Sequence, residues 1–503
     1  MKNNILLLQL FLLLPFCVFG QWLLIGQTVN GEAADDRFGR SVCMSDNGNI
    51  VVIGGYFNDG VNGGNSGHVR VYENIGGVWI QIGNDIDGEA SGDDSGFSID
   101  LSDDGNIVAI GARNNNGVNG DGSGHVRVYE NIGGIWSQIG DDIDGEEIND
   151  LSGQAVSLSG EGNIVAIGAG GNEGVNGEGS GHVRVYEYLG GVWAQIGDDI
   201  DGEAPYDNSG LAVALNYGGN VIAEGAAQND GVNGGNSGHV RVYENLGGVW
   251  TQIGDDIDGE AANDASGGSV SLNNDGNIVA IGAFYNDGVN GENAGHVRVY
   301  ENLGGVWVQI GDDIEGEDAN NFSGISVNLN NTGNILAIGA TGNNGINGEN
   351  SGHVRIFENL GGVWTQIGDD IDGEAAGDAS GISISLRGDG GSIAIGAWRN
   401  DNNGIDSGQF KVFGNASLSI ETNTLGEKIS LYPNPTSGIS TITFGKTYNI
   451  KLLVYDSMGK VVTQEAFNNI DSLQINSQEY AVGIYLLHII SDMEYWNLKL
   501  IKR

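Results

Sequence analysis

The stretch SGFSIDLSDDGNIVAIGARNNNGVNGDGSGHVRVYENIGGIWSQIG, residues 95–140, decides the fold. It holds four short segments of alternating character: Ser95–Ser102, Asn106–Ala112, Gly124–Glu130 and Ile135–Gly140. Alternation over such short runs predicts strands, and the glycine-rich joints at Asp104-Gly105 and Gly133-Gly134 predict tight hairpins. One unit is therefore a four-stranded antiparallel sheet. The unit returns every 57 residues, marked by Trp22, Trp79, Trp136, Trp193, Trp250, Trp307 and Trp364 and by His68, His125, His182, His239, His296 and His353. Seven such sheets predict an all-β chain whose main part is a seven-bladed β-propeller.

The phase of the repeat at its two ends predicts how the ring closes. Trp22–Gly26 is a fourth strand with no first three before it, and Gly408–Phe413 is a third strand with no fourth after it. Pairing the two completes blade 7 and removes the open sheet edge between the chain ends. A ring closed by its own N-terminal strand is expected to be a monomer.

Phe38-Gly39 followed by SVCMS, NIVVIGG and GHVRVYE resembles the FG-GAP-type repeat of the integrin α-subunit propeller class. The resemblance covers about residues 22–415 and implies the fold and the closure; it does not imply a ligand, because such propellers host many functions. The calcium loop of that class is reduced here to the turn Ser102–Asn106, too short for the roughly six to eight oxygens calcium takes. Calcium is not carried over from the resemblance.

The remaining segments are expected to direct the chain out of the cell. Residues 1–20, with Lys2 and an apolar run from Ile5 to Phe19, read as a cleaved secretory signal. No other stretch is apolar for long enough to span a bilayer. Cys17 leaves with the signal, and Cys43 remains alone in an inner strand, where a buried, unreactive thiol is expected. The propeller then occupies residues 21–415, a polar linker residues 416–426, and a small β-sandwich residues 427–503. LYPNPTSG (Leu431–Gly438), VYDSMGKVV (Val454–Val462), GIYLL and the terminal KLIKR resemble a type A C-terminal sorting domain of the type IX secretion system. Tyr432, Pro433, Asn434 and Pro435 form its motif. The resemblance implies the secretion machinery as a partner, removal of the domain, and an extracellular or outer-membrane surface location.

Residues 416–503 carry seven Lys plus Arg against eight Asp plus Glu, so nearly all of the net charge of −46 lies on the propeller. Nucleic acid is excluded as a natural partner. In an up-and-down blade the loops between strands two and three share a face with those from strand four to the next blade. The second set is acidic: Asp141, Asp142, Asp144 and Glu146; Asp198, Asp199, Asp201 and Glu203; Asp255, Asp256, Asp258 and Glu260. These carboxylates either solvate the face or hold divalent cations, with calcium the candidate. The repeated histidines lie about 10 Å apart in neighbouring blades, too far to share one zinc, and read as packed or hydrogen-bonded architecture. The repeated tryptophans and the arginines of HVRVYE read the same way.

What breaks the repeat is more informative. The position after the Ser-Gly or Phe-Gly pair varies: Arg40, Phe97, Gln154, Leu211, Gly268, Ile325 and Ile382. It is expected at the mouth of the central channel on the acidic face. Arginines outside the repeated slot, Arg37, Arg40, Arg113, Arg387 and Arg399, all fall in blades 7, 1 and 2, which adjoin in the closed ring. Arg37, Arg40, Arg113, Trp398 and Arg399 map to the acidic face, Arg387 to the other. With Phe97 and Gln154 they form the candidate ligand site, because guanidinium offers paired donors and indole a stacking face to an acidic sugar or a carboxylate. Glu224 occupies a slot held elsewhere by isoleucine, such as Ile167 and Ile281; a blade edge that tolerates charge is the expected reason, a functional acid the alternative. Nothing in the chain resembles a nucleophile elbow, a zinc signature or a phosphate loop. The reading is thus an exported binding or adhesion propeller whose ligand is a carbohydrate or an extracellular protein. A polysaccharide-active enzyme and a structural surface-layer component are the alternatives.

Overall fold

The computed structural model describes residues 22–415, 430–432, 434, 436–455, 461–478, 480–481, 483–491 and 495–503, and these residues contain strands and turns but no helix. The signal (1–20), the linker (416–426) and the motif residues Pro433 and Pro435 lie outside them. The chain divides into two compact units after Asn415.

The first unit is a propeller of seven sheets. Blade 2 shows the plan. Ser98–Leu101, Ile107–Ala112, His125–Asn131 and Trp136–Gln138 pair antiparallel in chain order, and a short strand, Ile143–Asp144, returns to pair with the start of the third. This fifth segment is absent from the sequence reading, because two residues carry no periodicity. At the Gly133-Gly134 hairpin both glycines have positive φ, 65° and 88°, as a type I′ turn demands. The ring closes as the phase predicts: Trp22 pairs with Asn415 and Leu24 with Phe413, so the N-terminal strand completes blade 7.

Second strands such as Ile107–Ala112 are buried on both faces because each is covered by the blades on either side. The apolar residues accordingly form seven cores, one between each pair of neighbouring blades. Close approach fixes the glycine of each AIGA run: a Cβ on Gly111 would stand 2.1 Å from the Gly153 carbonyl of the next blade. Seven indoles tie the ring together, each donating to an isoleucine carbonyl of the preceding blade. Trp79 reaches Ile25 at 2.9 Å, and Trp22 reaches Ile367 at 3.0 Å across the closure. Small polar side chains of the innermost strands add further ties, such as the Leu215 amide donating to Ser157 Oγ and the Leu158 amide to Asp100 Oδ2. The repeated tryptophan is architecture, as its recurrence suggests.

The second unit is one five-stranded sheet. Its long strands, Ile439–Tyr455 and Val461–Asn476, carry register shifts near Thr443–Ile450. Ile442, Phe444, Leu473 and Ile475 on one side of the shifts share a core with Leu452, Val454, Leu487 and Leu500 on the other. The expected small β-unit is present, its strands joined in one hydrogen-bonded path whose bulged strands serve both halves of one core. Bulges bend strands without breaking the ladder, and sequence patterning does not show them.

Candidate functional site

The loops between strands two and three pack on those leaving strand four, so both sets lie on one face. In blade 2, Asn119 Nδ2 donates to the Gly145 carbonyl at 2.6 Å and the Gly145 amide to Gly124 at 2.8 Å. At the inner rim of this face each blade makes the same tight turn. Its third-last residue takes left-handed φ: Arg37 at 53°, Asp94 at 56° and Leu151 at 58°, with Asn208, Ala265, Phe322 and Ala379 alike. The Arg40 amide then donates back to the Arg37 carbonyl. A bulge follows, between Phe38 and Ser41. Positions 37 and 40 are thereby brought side by side at the channel mouth.

Blades 7, 1 and 2 assemble a continuous group of arginines and rings there. Arg37 lies over Phe57 and Trp398, with Cζ 4.5 and 4.9 Å from the ring centroids, and its Nη1 donates to Tyr56 Oη at 2.7 Å. Arg40 and Arg113 share the Phe97 ring, at 4.6 and 3.6 Å. Arg399 lies 4.7 Å from Trp398. Tyr56 links the rings, edge-on to Phe97 at 5.5 Å and stacked with Trp398 at 6.5 Å. Six of the seven expected residues thus converge. Gln154 stands apart beside Gly170 in blade 3. Tyr56, Phe57 and Asp94 were missed, although Tyr56-Phe57 occupies the same variable slot as Arg113-Asn114 and Trp398-Arg399.

The electrostatics of this sector are unusual for so acidic a chain. Among the described residues, Arg37, Arg40 and Arg399 have no carboxylate within 4.0 Å, and Arg113 has one, Asp94 at 3.6 Å. Burial, aided by repulsion from Arg113, lowers the Arg40 pKa to about 10, while Tyr56 acts in the other sense. The Arg40 side chain is half-buried against the Phe97 ring. Burial also raises Asp94 to about 6 despite Arg113 and the 2.7 Å bond from Asn114. Buried Arg37 Nε, Arg113 Nε and Trp398 Nε1 have no hydrogen-bond partner. Arg387 lies at the opposite face, as expected, against Gly48 and paired with Asp389 at 3.2 Å.

The acidic loops divide into three roles. Asp141, Asp198 and Asp255 are exposed. Asp144, Asp201 and Asp258 tuck under the neighbouring loop, near Gly117, Gly174 and Gly231, and burial raises their carboxyls. Asp142, Asp199 and Asp256 each accept from a glutamine, with the other oxygen turned toward a repeated histidine. The nine aspartates therefore do not cluster with one another; Asp142, Asp199 and Asp256 each meet a histidine and a glutamate instead. The histidines are buried, as expected, yet they are not hydrogen-bonded: Nε2 is unpartnered in all six. In the turn that resembles a shortened calcium loop, Asp104 accepts from Ser102, the Asn106 amide and Asn106 Nδ2. Cys43 is half-buried rather than buried; it lies 3.0 Å from Asp100, and burial pushes its thiol well up.

Glu224 overturns its expectation. It is fully buried, not at a tolerant edge, and pairs with Arg241 Nε at 2.7 Å while accepting from Ser209 Oγ at 2.7 Å. Those two donors are matched by unpartnered Arg184 Nε and Ser152 Oγ in blade 3. The carboxylate fills a structural vacancy in hydrogen bonding and has no access to solvent.

Comparison with known proteins agrees with this division of the chain. Residues 430–503 match the secretion system C-terminal sorting domain family, and residues 28–72 match the FG-GAP repeat family. An endo-acting ulvan lyase of Formosa agariphila is 29% identical over 86 residues, which is 17% of this chain and 16% of the lyase. This chain thus spans a small part of that relative's length. The periplasmic gluconolactonase PpgL of Pseudomonas aeruginosa superposes with a TM-score of 0.45 at 16% identity, over 67% of this chain and 85% of that one. The seven-bladed propeller thus includes an FG-GAP repeat at residues 28–72, and the chain carries a secretion system C-terminal sorting domain that routes it to the cell surface or the extracellular space. Among the described residues no helix is long and apolar enough to cross a membrane.

Proposed function

We propose that the exported propeller is a binding module that takes an acidic carbohydrate at the arginine and aromatic sector of blades 7, 1 and 2. The observation that carries the reading is a pair of guanidiniums, Arg40 and Arg113, held on one phenyl ring with a single carboxylate, Asp94, beside Arg113 in a chain of net charge −46. Desolvated like charges repel, and an anion seated between them relieves that cost while accepting paired hydrogen bonds. Half-exposed Phe57, Phe97 and Trp398 offer faces on which a sugar ring stacks.

A panel of immobilised uronate polysaccharides and their neutral counterparts tests this. Retention on the acidic members, lost in Arg40→Ala/Arg399→Ala with unchanged thermal stability, supports the site; equal retention of the variant removes it. A second reading, turnover of an acidic polysaccharide, draws on Asp94, whose carboxyl is raised to about 6 beside Arg113. One carboxylate is not the pair that glycoside hydrolysis uses, so this reading requires elimination chemistry. Appearance of unsaturated uronate ends during the same assay, absent in Asp94→Asn, separates turnover from binding.

A further inference from the structure

We infer that blades 2 to 6 each hold a transition-metal ion, zinc by ligand type, between a histidine, an aspartate of the same blade and a glutamate of the loop from the preceding blade. The sets are Glu89/His125/Asp142, Glu146/His182/Asp199, Glu203/His239/Asp256, Glu260/His296/Asp313 and Glu317/His353/Asp370. Each histidine is 1% exposed and aims Nδ1 at the two carboxylates. The N-to-O separations recorded within these sets run from 3.6 to 4.0 Å. That is too long for a hydrogen bond. It is close to the spacing of groups that share an ion, since ligands about 2.0–2.1 Å from a tetrahedral zinc stand about 3.4 Å apart. Nε2 is buried and unpartnered in all five imidazoles, and in His353 Nδ1 is as well, an arrangement native interiors avoid.

The carboxylates are oriented for the role. Gln138 holds Asp142 Oδ1 and leaves Oδ2 toward His125; Gln195, Gln252, Gln309 and Gln366 do the same for the others. The repeated arginine addresses the far oxygen of each glutamate, Oε1, at 3.6 to 4.0 Å. Second-sphere contacts of this kind fix ligand orientation.

The chain supplies two internal controls. In blade 1 the same three residue types meet, Glu32, His68 and Asp85, but Arg70 donates to both Asp85 oxygens and pairs with Glu32. A guanidinium there already takes the place of the ion. In blade 7 the histidine slot holds Gln409 and the aspartate slot Thr28, and Lys411 pairs with the remaining Glu374. In blade 7, where Lys411 supplies the cation, imidazole and aspartate are lost together. Imidazole with carboxylates suits zinc and not calcium, which takes oxygen ligands in larger number. This inference is independent of the saccharide site.

The test is metal analysis of the untagged full chain after equilibrium dialysis against micromolar Zn²⁺ with millimolar Ca²⁺ present. About five zinc ions per chain are expected from the five sets above. Asp199→Asn and, separately, Asp313→Asn should each lower the count by one without changing unfolding in chelator, while Asp85→Asn should leave the count unchanged. Fewer than one ion per chain, displacement by calcium, or a count unmoved by both Asp199→Asn and Asp313→Asn overturns the inference.

Discussion

Replacing Glu224 by isoleucine tests whether blade 4 differs from its neighbours in structure or in function. The substitution removes the Arg241–Glu224 contact at 2.7 Å and the Ser209 hydrogen bond, between groups that are nearly solvent-free. A charge-assisted hydrogen bond is worth about 1.5–3 kcal/mol, and fully burying an isoleucine side chain returns about 1.5–3 kcal/mol. The two terms nearly cancel. Arg241 also keeps the Asp201 carbonyl at 2.9 Å and Glu203 at 3.8 Å. Blades 2, 3 and 6 show that the exchange is compatible with the fold: Ile110, Ile167 and Ile338 pair in register with Arg127, Arg184 and Arg355, each with Nε unpartnered. Glu224→Ile should therefore unfold within about 1–2 kcal/mol of the parent, because Arg241 is left in the state that Arg127, Arg184 and Arg355 already occupy beside isoleucine rather than as an unaccommodated buried charge. Glu224→Ala loses the same contacts and leaves a cavity, so it should lie about 2–5 kcal/mol below Glu224→Ile. Denaturant unfolding of the two variants in parallel measures this difference. If both fall equally far, packing does not govern the site; if Glu224→Ile unfolds like the parent but loses saccharide binding, the carboxylate has a functional role.

Other consequences are as direct. Burial, with the neighbouring arginine, lowers His68, His125, His182, His296 and His353 to about 4. The unfolded chain then binds more protons as pH falls below the ordinary histidine value of about 6.5, so stability in chelator should be full above that pH and decline toward 4, by on the order of 2 kcal/mol per histidine at pH 5. Carboxylates raised by burial, among them Asp94 and Asp103 at about 6 and Asp144, Asp201 and Asp258, act in the opposite sense; the histidine share is therefore read from His182→Gln, which should lose less stability than the parent between pH 6.5 and 5, and an equal loss contradicts the assignment. Trp22→Ala removes the indole bond to Ile367 and contacts in the core between blades 6 and 7. It should cost about 2 kcal/mol or more and raise susceptibility to proteolysis near residues 22–30; an unchanged chain would argue against closure by the N-terminal strand. Cys43, with its thiol raised by burial, should resist a thiol-directed reagent in the folded chain and react on unfolding.

The fold was legible because a repeat amplifies weak local signals. A single NIVAIGA is ambiguous, but seven of them in phase with Trp and His give both the blade and the closure. Convergence of Arg37, Arg40, Arg113, Trp398 and Arg399 was legible for a related reason, since identical blades turn position in the repeat into position in space. Tyr56 was hidden because its slot was marked in blades 2 and 7 by an arginine, Arg113 or Arg399, and blade 1 carries none there. The histidine sets were hidden because their three members come from two blades: Glu146 precedes His182, and Asp199 follows it. Only the joint replacement of the aspartate by Thr28 and the histidine by Gln409 in blade 7 hints at a partnership. Glu224 was misread because the strand pattern shows that a position is buried but not that Arg241 and Ser209 face it. In the C-terminal unit, alternation gave strands, while the bulges that let one sheet serve one core left no mark in it.

The most direct test of the account is backbone hydrogen exchange of the chain with and without a saturating uronate oligosaccharide. The account predicts protection confined to the rim turns and second-strand ends of blades 7, 1 and 2: residues 37–40, 56–57, 94–97, 113–114 and 398–399. Protection in the acidic loops around 141–146 and 198–203, or spread evenly over all seven blades, would contradict it.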